Sequence, residues 1–212
     1  MTSYHVGLDL GQAADFTAIA VAEWTPGALN VRHLQRFQLG TVYPVIVDEV
    51  AGLMSRLPEY PELAVDATGV GRPVVDLITA RGLRPYAVTI TGGDTATHDG
   101  LNWRIPKRDL VGAVAVALQT GRLKIASGLP DAATLTRELL NFKVTIDPKT
   151  AHDSYSSWRE SDHDDLVLAV ALAVWSADKF GGCVTIPISA IRKPRAIPTL
   201  GGWNPRDGIP RL

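Results

Sequence analysis

Two short β-rich runs, HVGLDLG and DFTAIAVAEW, flank a polar turn at Gly11–Asp15 and predict an N-terminal hairpin. Apolar and polar residues then alternate through Leu29–Leu39 (LNVRHLQRFQL), the third strand of a meander. From Val45 the period changes: Val47, Val50, Leu53, Met54 and Leu57 recur at helical spacing, and Pro58 ends the helix. Leu63–Ala67 is a short apolar strand carrying Asp66. Gly69 and Gly71 then turn the chain into a helix over Arg72–Arg81, closed by Gly82. Tyr86–Ile90 alternates as a further strand.

Thr91–Asn102 is polar and rich in Gly and Thr, which predicts a mobile loop. Asp109–Thr120 follows as an amphipathic helix with Gly121 at its C-terminal end. Leu123–Ile125 is a brief strand, Asp131–Phe142 a helix that Asp131 can cap, and Phe142–Tyr155 a candidate hairpin. Leu166–Trp175 is apolar nearly all round, so the helix it forms, capped by Ser161 or Asp162 and running to about Phe180, must be deeply packed. Beyond Gly181–Gly182 the chain changes character, and five of its 14 prolines fall after residue 186. The reading is one domain over residues 1–182 and an extended or disordered tail over 183–212. Three strands, then helix, strand, helix, strand and helices, predict a mixed α/β sheet with helices on its faces.

Bulk composition changes this picture little. A hydrophobic content of 46% and a charged content of 20% suit one folded domain, and a net charge of −1 gives a polyanion no global attraction. Distribution matters more: residues 186–212 carry five basic side chains (Arg192, Lys193, Arg195, Arg206, Arg211) against one acid, Asp207. The acidic body that remains needs local basic patches or cations to meet nucleic acid. Cys183 is alone, which excludes an internal disulfide and a Cys-rich zinc site and suits a reducing cytoplasm. The N-terminus has no basic region followed by an apolar core, and Leu166–Trp175 is about half the ~20 residues that span a bilayer, so no membrane partner is expected.

Candidate chemistry lies in three acidic stretches far apart in the chain: Asp9 and Asp15 in GLDLGQAADFTA, Asp66 in LAVDATGVG, and Asp164 and Asp165 in SDHDDLVLAVALAVW. Each puts carboxylate beside residues that want burial, which is costly unless the acid is paired or bound to metal. Alternation points Asp9 away from the face of Leu8 and Leu10, buried if both sheet faces are covered and exposed if they are not. Asp66 closes a strand, where open α/β sheets build sites, but an Asp there can also bond its own turn. Asp164 and Asp165 suit a helix N-terminus through the macrodipole alone, though that accounts less well for their clustering with Asp162 and His163. Gathered together, the acids offer hard oxygen ligands to two Mg²⁺ or Mn²⁺ ions, the equipment of a metal-dependent nuclease.

In this order and at this rough spacing, GLDLG, Asp15 before Phe-Thr-Ala, VDATGVG, WRIPKRDLV and HDDLVLAVALA resemble the nuclease domain of phage terminase large subunits, within the ribonuclease-H-like superfamily. The resemblance covers residues 3 to 180. It implies a two-metal endonuclease that cuts concatemeric viral DNA during genome packaging, with Asp9 bridging both ions, Asp66 binding one and the HDD acid the other. Asp165 is preferred to Asp164 as that third ligand, Asp15 is an auxiliary acid, and His163 orients a ligand or water or is simply a surface residue. Large terminases place an ATPase before the nuclease, but no G-x-x-x-x-G-K-[ST] loop occurs here. The chain is then an excised domain, a subunit of a split terminase or a stand-alone relative, and a separate packaging ATPase, small terminase or portal is its expected partner.

Double-stranded DNA would meet Arg72, Arg104, Lys107 and Arg108, with Trp103 among them and Thr91–Lys107 as a flap; Lys143 and Lys149 mark a second candidate surface. A solvated helix start explains Arg104–Arg108 equally simply. Three rival functions remain: a Holliday-junction resolvase using the same acids, a sugar-kinase-like phosphate binder suggested by GLDLG and VDATGVG, and a packaging module whose acids are only structural.

Overall fold

The computed structural model describes residues 2–11, 15–58, 60–69, 72–145 and 164–181. β1 (Ser3–Asp9), β2 (Ala18–Thr25) and β3 (Ala28–Arg36) form the expected antiparallel meander. α1 (Tyr43–Arg56), β4 (Glu62–Asp66), α2 (Arg72–Ala80) and β5 (Tyr86–Thr91) follow where the periodicity places them. Then come β6 (Thr97–Asp99), β7 (Asn102–Pro106), α3 (Lys107–Gln119), β8 (Leu123–Ile125), α4 (Ala132–Thr145) and α5 (Asp165–Phe180). The strands make one mixed sheet ordered β6-β7-β5-β4-β1-β2-β3-β8, with β1, β4, β5 and β7 parallel.

Pleating sorts β1 between two cores. Val6, Leu8 and Leu10 join Ile46, Val47, Val50, Val74 and Ile78 under α1 and α2. His5, Gly7 and Asp9 take the opposite face, which α5 covers. Its residues Leu166, Val167 and Ala169–Val174 are all at most 1% exposed, packed on the sheet and flanked by α3 and α4. Each large apolar side chain here contributes roughly 1.5–3 kcal/mol of burial, which is why an all-round apolar helix ends as the central helix of its layer.

The contacts along β1 fix the direction of α5. His5 Nδ1 lies 2.9 Å from Ser176 Oγ, and a Cβ placed on Gly7 would come within 2.0 Å of the Ala169 carbonyl oxygen and 2.7 Å of the Ala173 nitrogen. The helix therefore runs antiparallel to β1, so its N-terminal Asp165 approaches the C-terminal Asp9.

Several sequence expectations are corrected. Thr91–Asn102 is not simply a mobile loop or flap: β6 turns through Gly100 (φ +57°) into β7, which pairs with β5. Short alternation decides this, because Trp103 and Ile105 are buried while Asn102 and Arg104 are exposed. Helix α4 continues to Thr145, so the start of the Phe142–Tyr155 hairpin is helical, and residues 146–163 lie outside the described residues. Asp131 does not use its carboxylate as the α4 cap; that group accepts the Arg36 backbone N–H at 2.9 Å. The caps expected at Ser161 or Asp162, and the 183–212 tail, also lie outside the described residues. Among the described residues no helix is long and apolar enough to cross a membrane.

Candidate active site

Parallel pairing of β1 with β4 sets Leu8 beside Val65, so Asp9 and Asp66 end adjacent strands on the same edge of the sheet. Both are buried, at 6% and 8% exposed, and they share a side-chain hydrogen bond. The turn after β4 is held firmly: Asp66 Oδ1 accepts the Thr68 N–H at 2.7 Å, and Thr68 Oγ1 accepts the Ile90 N–H at 2.7 Å. From the third segment, Asp165 (5% exposed) and the half-buried Asp164 bring their fields to bear on Asp9.

This proximity has an electrostatic cost. Burial first, and then the charges of Asp66, Asp165 and Asp164, hold the Asp9 carboxyl well above the ordinary carboxylate range. Burial also raises Asp66 and Asp164, against the opposing pull of Lys107 on both and the bonds from Thr68 to Asp66. Lys107, the first residue of α3, reaches this acidic edge with Nζ 3.7 Å from Asp164 Oδ2. Among the described residues no group of three His, Cys, Asp or Glu side chains stands ready at metal-ligand spacing. The donor set nevertheless suits a hard divalent cation, since buried carboxylates whose charge is costly gain most from an added positive charge.

The other sequence candidates are placed less centrally. Asp15 is exposed, near enough to add a smaller field on Asp164. Arg108 pairs with Asp94 at 2.6 Å, and Arg104 lines a cleft of about 390 Å³ with Ala67, Thr89, Thr97 and His98. Trp103 is core rather than surface, in edge contact with Trp175 and stacked on His98. Arg72 begins α2 and Lys143 lies in the last turns of α4, but their side chains, like His163, lie outside the described residues.

Sequence reasoning missed two residues at this edge, Arg36 and Glu138. Glu138 accepts the backbone N–H groups of Leu166 and Val167 with Oε2, and its Oε1 contacts Arg36 Nη2. Burial pushes the Glu138 carboxyl up to about 7 despite Arg36, with Asp165 and Asp164 adding to the rise. Only the position of Arg36 at the end of an alternating strand hinted at it; Glu138 had no local signal.

These shifts predict how stability varies with pH. Asp9, Asp66, Asp164 and Glu138 all have folded-state values above their unfolded ones, so the stabilisation they give is complete at low pH and is lost as pH rises through the folded values. Buried His5, lowered to about 4, works oppositely, but only up to its unfolded value of 6.5. Metal-free protein should therefore melt at progressively lower temperature from about pH 6.5 to about pH 8. A flat or rising melting temperature across that window would contradict the acid cluster.

The sheet order, the antiparallel meander and the helix crossing β1 make a ribonuclease-H-like mixed α/β fold, which similar solved structures share. Those structures include terminase nucleases. The large terminase nuclease of thermophilic phage G20c superposes with a TM-score of 0.55 at 19% identity, covering 81% of each chain, and its magnesium-bound form gives 0.56 at 20%. The human cytomegalovirus terminase nuclease domain, in a manganese-soaked, inhibitor-bound structure, gives 0.54 at 14%, covering 84% of this chain and 85% of that one. Against the large terminase of a second thermophilic bacteriophage (TM-score 0.52, 14% identity), 81% of this chain covers only 39% of the other. No protein-family model and no curated protein matches the sequence.

Proposed function

We propose that this chain is a divalent-metal-dependent DNA endonuclease of the terminase type. The observation that carries the reading is the convergence of Asp9, Asp66, Asp164 and Asp165, from three distant segments, at one edge of a sheet shared with terminase nucleases. Asp9 is central among these acids and would help hold both ions, with Asp66 a ligand to one and Asp165 or Asp164 to the other. Two Mg²⁺ or Mn²⁺ ions held by these carboxylates would supply the acidity for an attacking water and positive charge for the leaving 3′-oxygen. The magnesium and manganese in the G20c and cytomegalovirus structures support that choice of cation.

Around these acids the chain's own residues position the substrate. Lys107 is placed to meet a phosphate at the acidic edge; Arg104 and Arg108, and from the sequence alone Arg72 and Lys143, are the further candidates to meet duplex DNA. Asp15 adds an outer carboxylate. No ATP-binding loop occurs in these 212 residues, so an ATPase outside them would drive translocation, and a small terminase or portal would complete the packaging assembly.

Supercoiled plasmid incubated with Mn²⁺, Mg²⁺ or EDTA tests the reading. Linear product is expected with either cation and none with EDTA. Cutting confined to four-way junctions would redirect the assignment to a resolvase, and cutting that survives EDTA would remove the metal.

A further inference from the structure

At the head of α5, Glu138 and Arg36 form a device built from three distant elements. The N-cap residue Asp164 makes no side-chain cap bond. Glu138 supplies that cap from α4, its Oε2 accepting the Leu166 and Val167 N–H groups at 3.1 and 3.2 Å. Its Oε1 holds Arg36 Nη2, and the same nitrogen lies 3.6 Å from Asp165 Oδ2. The guanidinium also lies over the Phe16 ring, 4.6 Å from its centroid. One arginine thus stands between two buried carboxylates, in direct contact with Glu138 and at longer range from Asp165.

We propose that Arg36 and Glu138 are positioning residues: Glu138 anchors the head of α5 and retains Arg36, so that the guanidinium does not close on Asp165 in competition with a divalent cation. The inference rests on Asp165 being a metal-binding carboxylate, as proposed above. A guanidinium prefers a two-pronged contact with whichever carboxylate is nearest. Removing the Glu138 charge leaves Asp165 as the adjacent anion, and a complete Arg36–Asp165 pair would engage the oxygens that a cation needs.

The test compares wild type, Glu138→Gln and the double variant Arg36→Met/Glu138→Gln. Mn²⁺ is titrated calorimetrically into DNA-free protein above the Glu138 value of about 7, where that carboxylate is charged, and plasmid cutting is followed against Mn²⁺ concentration. Gln keeps an acceptor for the α5 N–H groups but not the charge. Glu138→Gln should bind Mn²⁺ about 10–100-fold more weakly, the usual loss when a group supporting a ligand is removed. Its cutting rate at saturating Mn²⁺ should stay near wild type, and the double variant should recover most of the affinity. A purely structural cap predicts instead that both variants lose melting temperature and Mn²⁺ affinity alike. That result, or unchanged affinity in Glu138→Gln, overturns the inference while wild-type cutting upholds the nuclease. Wild type that neither binds Mn²⁺ nor cuts overturns both.

Discussion

Asp9→Asn should abolish plasmid cutting in both Mg²⁺ and Mn²⁺ and at the same time raise the melting temperature of the metal-free protein above about pH 6.5. The two effects share one cause. Asp9 is buried among Asp66, Asp165 and Asp164, which makes its charge costly without a cation and useful with one. Asn retains the size and a hydrogen bond towards Asp66 but cannot supply the anionic oxygen. The loss should exceed the about 10–100-fold seen when a group that merely supports a ligand is removed. Asp66→Asn and Asp165→Asn should also abolish cutting, whereas Asp15→Asn should be milder because that side chain is exposed. Full activity of Asp9→Asn in Mn²⁺ would take Asp9 out of the reaction. Lost activity with an unchanged or lowered melting temperature would refute the electrostatic account.

Gly7→Ala should be the most destabilising single-methyl change in the sheet. The new Cβ would sit 2.0 Å from the Ala169 carbonyl oxygen, 2.7 Å from the Ala173 nitrogen and 3.0 Å from Leu172 Cβ. Two of these neighbours are α5 backbone, so no side-chain rotation relieves the clash and the helix itself must retreat from β1. Overpacking typically costs about 1–3 kcal/mol, and a rigid backbone neighbour places this case at roughly 3 kcal/mol. In a chain of this size that corresponds to a fall of about 6–12 °C in melting temperature, read by circular dichroism. Because α5 carries Asp165 opposite Asp9, cutting should also fall in the fraction that remains folded. A variant that melts within about 2 °C of wild type would show that the helix is not held at this contact.

Most of the fold was legible because its elements carry strong local periods. The meander, α1, α2, α3 and the apolar α5 all follow from spacing within a single segment. The hairpin β6–β7 was missed because a Gly- and Thr-rich composition outweighed the brief alternation of Trp103 and Ile105, and Trp103 packs on the Trp175 and Phe180 rings of the distant α5. The cap expected for α4 failed for a related reason. Asp131 had a partner, the Arg36 N–H, nearly a hundred residues away.

The sequence by itself determined which apolar residues had to be inside and marked the three acidic segments beside them, while leaving the burial of each carboxylate open. It also determined that α5 would be enclosed on all sides. Only the tertiary structure decided which acids meet. The parallel register of β1 and β4 and the antiparallel course of α5 along Gly7 bring Asp9, Asp66 and Asp165 to one edge. It alone placed Lys107 beside Asp164 and assembled Arg36 with Glu138. The physical reason is range: periodicity reports the burial of each residue against its chain neighbours, whereas charge and hydrogen-bond partners are set by the packing of elements distant in sequence.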